Sequence, residues 1–360
     1  MPVKSIAYFI SSHGFGHAAR ATAVMQAIAE NDPSVRFDIF TAVPSWFFHE
    51  SLSSNFNYHY LLTDFGLTQK TPFHSDLQET LHNLKTFYPI AHTRLSDIAK
   101  TIRRLDPRII ICDIAPLGLL VAREIGIPGV LVENFTWDWI YQQYSDRDKR
   151  IVKYINYLEP IFESADYHIQ TEPVCHRQSA DLVTEPVSRR PRTSRDQIRQ
   201  RLGLLTNGNV ILITTGGIPQ HYDFFQKLTR LKEIYFVLPG AGPDINIQDN
   251  LIVLPHRSEY YHPDLANACD AVIGKVGYST LAEVYHAGVP FGYVARANYN
   301  ESGPMVNFIR QRMPGMAVEE TEFFSGSWIS KISDLLKLPR VDRSSVNGAE
   351  QIGKFILALI

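Results

Sequence analysis

Residues 5–30 read SIAYFISSHGFGHAARATAVMQAIAE. Ser5–Ser11 is a short, mostly apolar run of strand length, and Ala18–Glu30 puts Ala, Val, Met and Ile on one side of a helix. Between them His13, Gly14, Phe15, Gly16 and His17 form a turn. Glycine there lets the chain bend tightly or lets a ligand approach the backbone. Strand, glycine turn and helix in that order make one βα unit. The same alternation continues outward. Phe37–Thr41, Ile109–Asp113, Val130–Asn134 and His168–Thr171 read as further strands between helical stretches. Thr171–Ser194 then loses the period, holds Pro173, Pro186 and Pro191, and reads as a linker. A second series opens with a helix near Arg195–Leu202. Its strands are Val210–Thr214, Ile234–Leu238, Leu251–Leu254, Ala271–Ile273 and Phe291–Val294, and an amphipathic helix, Gly348–Leu359, follows. The expectation is an α/β protein of two domains, each with a parallel sheet covered on both faces. Ligands would sit beyond the carboxyl ends of the strands, in a cleft between the domains. The expected divisions are 1–186, a linker at 187–194, 195–345, and a terminal helix at 346–360.

Composition agrees with this. A chain of 360 residues suggests two domains. With 45% hydrophobic and 20% charged residues, a disordered chain, a collagen and a coiled-coil rod are excluded. Lys plus Arg is 35 against 37 Asp plus Glu, so a net charge of −2 gives no drive toward nucleic acid or an anionic membrane. Cys112, Cys175 and Cys269 are odd in number and widely spaced, which fits neither a disulfide framework nor a zinc site. No signal segment or apolar run of transmembrane length is seen, and a reducing cytoplasm is the expected compartment.

The chemistry concentrates at strand ends. His17 falls near a helix N-terminus, where the dipole favours a neutral imidazole that can act as a general base. Asp113 ends its strand at the same sheet edge and could orient that imidazole; capping of the next helix is the alternative. Gly14-Phe15-Gly16-His17-Ala18-Ala19 also fits a dinucleotide fingerprint, which would make an NAD-dependent oxidoreductase, but Asp38 is not cleanly at the end of the second strand. His13 and His17 have metal-like i, i+4 spacing without a third ligand, so no metal is expected. In the second half, Gly216-Gly217 follows a strand. Gly274-Lys275-Val276-Gly277-Tyr278-Ser279-Thr280 leads into a helix whose free N–H groups, with Lys275, suit a phosphate. Glu283 is either a capping-box partner of Thr280 or an acceptor for ribose hydroxyls. Asn300 and Glu301 lie in a polar loop suited to sugar hydroxyls or simply to solvent. Trp137 and Trp139 suit an acceptor platform or the core equally. The six arginines between Arg189 and Arg201 read as a solvated face or as a contact for a phosphorylated acceptor or an acidic lipid surface.

Six segments together resemble GT-B glycosyltransferases, in particular the glycosyltransferase-like N-terminal region of plant L-arabinokinase. They are HGFGHAAR (His13–Arg20), DFGLTQ (Asp64–Gln69), CDIAP (Cys112–Pro116), ENFTWDWIYQQY (Glu133–Tyr144), KVGYSTLAE (Lys275–Glu283) and NYNE (Asn298–Glu301). More distantly they resemble the peptidoglycan N-acetylglucosaminyltransferase and UDP-glycosyltransferases. The resemblance implies two Rossmann-like domains facing across a cleft, with the final helix packing back on the first. It implies a metal-independent, inverting transfer of a hexosyl or N-acetylhexosaminyl group from a nucleotide sugar, most readily a UDP-sugar, to a sugar, lipid-linked or small-molecule acceptor. His17 would be the base and Asp113 its partner. Gly216 and Gly217 would approach the diphosphate, Ser279 and Thr280 would bind its oxygens, Glu283 the ribose, His256 and Arg257 would lie near the base, and Asn300 and Glu301 would face the donor sugar; Gly14, Gly16, Lys275 and Gly277 are counted with the same ligand-binding set. No kinase region follows, so kinase activity is not expected. The other readings are a nucleotide-sugar 2-epimerase and a catalytically silent sugar-nucleotide sensor. No nucleic-acid partner is expected, and membrane contact would at most be peripheral.

Overall fold

Strands buried on both faces need apolar side chains in both directions, and Ser5–Ile10 is buried at all six positions. In the computed structural model, which describes residues 4–204, 208–215, 224–343 and 346–360, it is an inner strand of the first of two sheets. The first sheet comprises β1 (Ser5–Ile10), β2 (Arg36–Thr41), β3 (Phe56–Tyr60), β4 (Ile109–Asp113), β5 (Gly129–Glu133), β6 (Tyr167–Thr171) and β7 (Leu182–Thr184). Its order is β3-β2-β1-β4-β5-β6-β7, all parallel. The second comprises β8 (Asn209–Thr214), β9 (Ile234–Gly242), β10 (Asn246–Gln248), β11 (Leu251–Pro255), β12 (Ala271–Lys275), β13 (Phe291–Val294) and β14 (Gly315–Ala317). Its order is β10-β11-β9-β8-β12-β13-β14, and β10 alone runs antiparallel. This is the expected pair of Rossmann-like units.

The strand order reverses between β1 and β4 in the first sheet and between β8 and β12 in the second. Helices then leave on opposite faces, and a crevice opens at the carboxyl ends. The glycine turn after β1, the end of β4 and the turn after β12 all lie at these crevices. One apolar cluster joins Ile6, Tyr8, Ala18 and Ala21 of the first half to Leu212, Val272 and Leu281 of the second. The helix Gly348–Leu359 lies along the helix Phe15–Asn31, so close that a Cβ on Gly353 would meet the Ala27 carbonyl carbon at 3.3 Å. Among the described residues, no helix is long and apolar enough to cross a membrane.

Several elements differ from expectation. The segment read as a linker from Thr171 contains β7, a three-residue edge strand too short to show a period. The sequence pattern does not mark β3, β10 or β14 either; two of them have only three residues. The first helix begins at Phe15 rather than Ala18, because Gly14 takes a φ of 75° and turns the chain directly into it. His17 is therefore in the first turn, with its side chain buried. The Arg189–Arg201 arginines are not a free basic face. Arg189 pairs with Glu283, Arg190 with Glu350, Arg195 and Arg199 with Asp270, and Arg201 with Glu259. Arg192 donates to the carbonyls of Glu50 and Ser51.

Candidate active site

The site is built from the turn after β1 and the end of β4. His17 Nδ1 lies 2.8 Å from Asp113 Oδ1. The alternative role for Asp113 does not hold: the next helix, Pro116–Ile125, is capped at Ala115 without a side-chain bond. Instead Asp113 is fully buried and accepts a fork from Arg20, one turn along from His17. Arg20 Nε reaches Oδ2 at 2.8 Å and Nη2 reaches Oδ1 at 2.7 Å. Burial opposes the charged carboxylate. The Arg20 charge and the hydrogen bonds from Arg20 and His17 outweigh it and hold the Asp113 carboxyl below its usual range. Sequence reasoning misses Arg20, although its i+3 spacing from His17 is a usable signal.

The tautomer of His17 follows from these contacts. A guanidinium only donates and a carboxylate only accepts. Asp113 is at 2.8 Å from Nδ1 and Arg20 Nη2 at 3.4 Å, so the shorter contact assigns the hydrogen to Nδ1. In the neutral ring with that tautomer the acceptor is Nε2, and His17 lines a cavity of about 320 Å³ between the two halves.

The opposite wall is formed by β12 and the helix Tyr278–Ala287. Lys275, Gly277, Ser279 and Thr280 line the cavity on that side. Gly277 is the N-cap and no side chain caps this helix, so neither Ser279 nor Thr280 is used up in that way. A Cβ on Gly16 would lie 3.7 Å from Ser279 Oγ, so the two glycine turns face each other across the cleft. Gly14 lines the same cavity. Lys275 has no ion-pair partner among the described residues. Burial, and then the nearby Arg296 charge, push its ammonium down to about 7. Arg296 is itself paired with Glu301 and stacked on the Tyr299 ring. His13 meets the Tyr299 hydroxyl at 3.1 Å and Gln69 Nε2 at 3.2 Å, and burial pushes its imidazole well below its ordinary value. His13 and His17 thus turn to different partners. Among the described residues no group of three or more His, Cys, Asp or Glu is placed to hold a metal.

A second cavity, of about 120 Å³, adjoins the first and shares Phe15, Gly16, Ser279 and Thr280 with it. His256 lines it, with its ring 5.3 Å from that of Phe15. Arg257 does not line it. Glu283 does, but its carboxylate is already engaged by Arg189 at 3.0 Å and His262 at 2.7 Å, so it closes no capping box with Thr280. Burial opposes its charge, and Arg189 and His262 overcome that and hold the carboxyl low. Glu301 lines the first cavity and Asn300 does not. Gly216 and Gly217 lie outside the described residues. Trp137 is fully buried in the core behind the site, donates to Asp64 at 2.7 Å and lines neither cavity, so it is no open platform; Trp139 stacks on His176. Asp38 is consumed inside the sheet by Ser5, Asn57 and His59, which leaves it no part in binding the ribose of a dinucleotide.

No protein-family model matches the chain. It is homologous to L-arabinokinase of Arabidopsis thaliana, at 26% identity over 96% of the chain and 33% of that protein. The chain therefore spans about a third of that relative. An uncharacterized glycosyltransferase of Methanopyrus kandleri is 23% identical over 71% of the chain and 77% of its own length. Among solved structures, the glycotransferase of kitacinnamycin superposes with a TM-score of 0.65 at 13% identity, covering 100% of both chains. UGT71G1 of Medicago truncatula, complexed with UDP-glucose, gives 0.63 at 11% identity, over 99% and 98% of the two chains. The fold is the GT-B fold.

Proposed function

We propose that the chain is a glycosyltransferase that moves a sugar from a nucleoside-diphosphate sugar to an acceptor hydroxyl, with inversion and without a metal. The observation that carries this reading is the cavity with His17 on one side and Lys275, Ser279 and Thr280 on the other. His17 Nε2 takes the proton of the acceptor hydroxyl while Asp113 holds Nδ1–H. The acceptor oxygen forms its bond to the anomeric carbon as the bond from that carbon to the diphosphate breaks. The leaving diphosphate keeps the electron pair. Lys275 and the N–H groups at the start of the helix Tyr278–Ala287 offset its charge. The second cavity, with His256 and the Glu283–His262 pair, takes the nucleoside. The UDP-glucose complex of a protein with this fold favours UDP as the nucleotide. Residues 1–186 would then form the acceptor side and 195–345 the donor side.

The test has two stages. Thermal stability is measured with UDP, GDP, ADP, dTDP and NAD; a selective rise with one nucleoside diphosphate is expected. Nucleotide release from the matching sugar is then measured with and without acceptors. Acceptor-dependent release that His17→Ala abolishes supports transfer. Conversion of the sugar without acceptor would mean an epimerase, binding with no turnover a sensor, and a response to NAD alone an oxidoreductase.

A further inference from the structure

Arg20 is the least exposed charged side chain of the cavity, at 1%, and its partners gather around the site. Its fork holds both oxygens of Asp113, Nη1 donates to Asn134 Oδ1 at 2.6 Å, and its Cζ lies 4.8 Å from the centre of the Tyr278 ring. Tyr278 opens the donor-side helix, so a single guanidinium ties the base of one half to the phosphate-facing turn of the other. We propose that Arg20 is a positioning residue that acts on His17 through Asp113, orienting the carboxylate that holds Nδ1 and offsetting the charge it presents to the imidazole. This rests on the transferase reading above.

The charge balance supports it. A buried carboxylate with His17 as its sole partner would draw a second proton onto the imidazole, as an anion within about 4–6 Å does. The Arg20 fork removes most of that pull, and its Nη2, 3.4 Å from Nδ1, adds a direct repulsion. The other charged or titratable groups around His17 are His13 on the same turn, Asp64 beyond Trp137, and, in the cavity that His17 lines, Lys275, Tyr278, Arg296 and Glu301. None of them replaces the fork on Asp113.

The experiment reads His17 directly. The protein is labelled at histidine Cε1, the His17 signal is assigned by its loss in His17→Ala, and it is titrated by NMR in the wild type and in Arg20→Met. The midpoint should rise by about one to three pH units in the variant. A folded Arg20→Met with an unmoved midpoint overturns the proposal. If that variant does not fold, Arg20→Met with Asp113→Asn is compared with Asp113→Asn alone, where no bare carboxylate is left buried. With the carboxylate gone only the direct repulsion from Nη2 is left, so the two midpoints should lie within about one pH unit of each other; a rise of about one to three units in the double variant would place the effect outside Asp113 and overturn the proposal. With UDP-glucose as probe, the acidic limb of turnover should move with the NMR midpoint. Expected titrations without turnover on any nucleotide sugar would defeat the transferase reading and leave the charge relation of Arg20 to His17 standing.

Discussion

Replacing Lys275 with methionine should stabilise the empty protein and weaken its hold on a diphosphate. The wild-type ammonium is buried without an ion-pair partner among the described residues and is pushed from 10.5 to about 7. A tenfold change in an acid's dissociation constant corresponds to about 1.4 kcal/mol, so the cost at pH 7 is at most about 4 kcal/mol. Lys275 keeps part of its surface on the cavity, and screening there reduces the figure to about 1–3 kcal/mol. Between pH 7 and 10.5 the unfolded chain holds the proton that the folded chain has lost, so wild-type stability rises with pH across that window. The advantage of Lys275→Met should therefore be full below pH 7 and shrink toward pH 10.5. Adding UDP reverses the comparison, because the ammonium then has a partner. Loss of a charge-assisted contact of about 1.5–3 kcal/mol weakens binding about 10- to 150-fold. Urea unfolding at about pH 7 and about pH 9, with and without UDP, measures both effects. A less stable empty variant, or an unchanged stabilisation by UDP, would show that Lys275 is not a buried charge waiting for an anion.

Three further outcomes are expected. His17→Ala should cut turnover about 100- to 10,000-fold and spare the thermal shift with UDP, since the base acts on the acceptor; loss of nucleotide binding would contradict it. Gly274→Ala would place a Cβ 2.0 Å from the Thr214 carbonyl oxygen, forcing β12 away from β8 at a cost of about 1–3 kcal/mol or more, read as a lower urea midpoint. Arg189→Met leaves Glu283 buried with His262 alone and should cost about 3–5 kcal/mol in the same assay, with UDP binding weakened as the second cavity loses its floor.

The central strands of both sheets are legible in the sequence because each is an apolar run, and the turns after β1 and β12 carry glycine. The edge strands β7, β10 and β14 are not, since three residues show no period. His17 and Asp113 are legible as residues at strand ends. That Arg20 completes their pair is not, because Arg20 and Asp113 lie 93 positions apart and meet only when β1 and β4 become neighbours. The same holds for Glu283. Its carboxylate reads from the sequence as a cap or a ribose acceptor, and only folding brings Arg189, 94 positions away, to occupy it. His13 and Tyr299 meet across 286 positions. The βα units, the glycine turns and the chemistry on offer at the strand ends depend on neighbours in the chain, so the order of residues was enough to reveal them. Pairing of charges depends on distances that exist only once the sheets have packed. Folding therefore settles which carboxylates are occupied, and leaves Lys275 unpaired among the described residues.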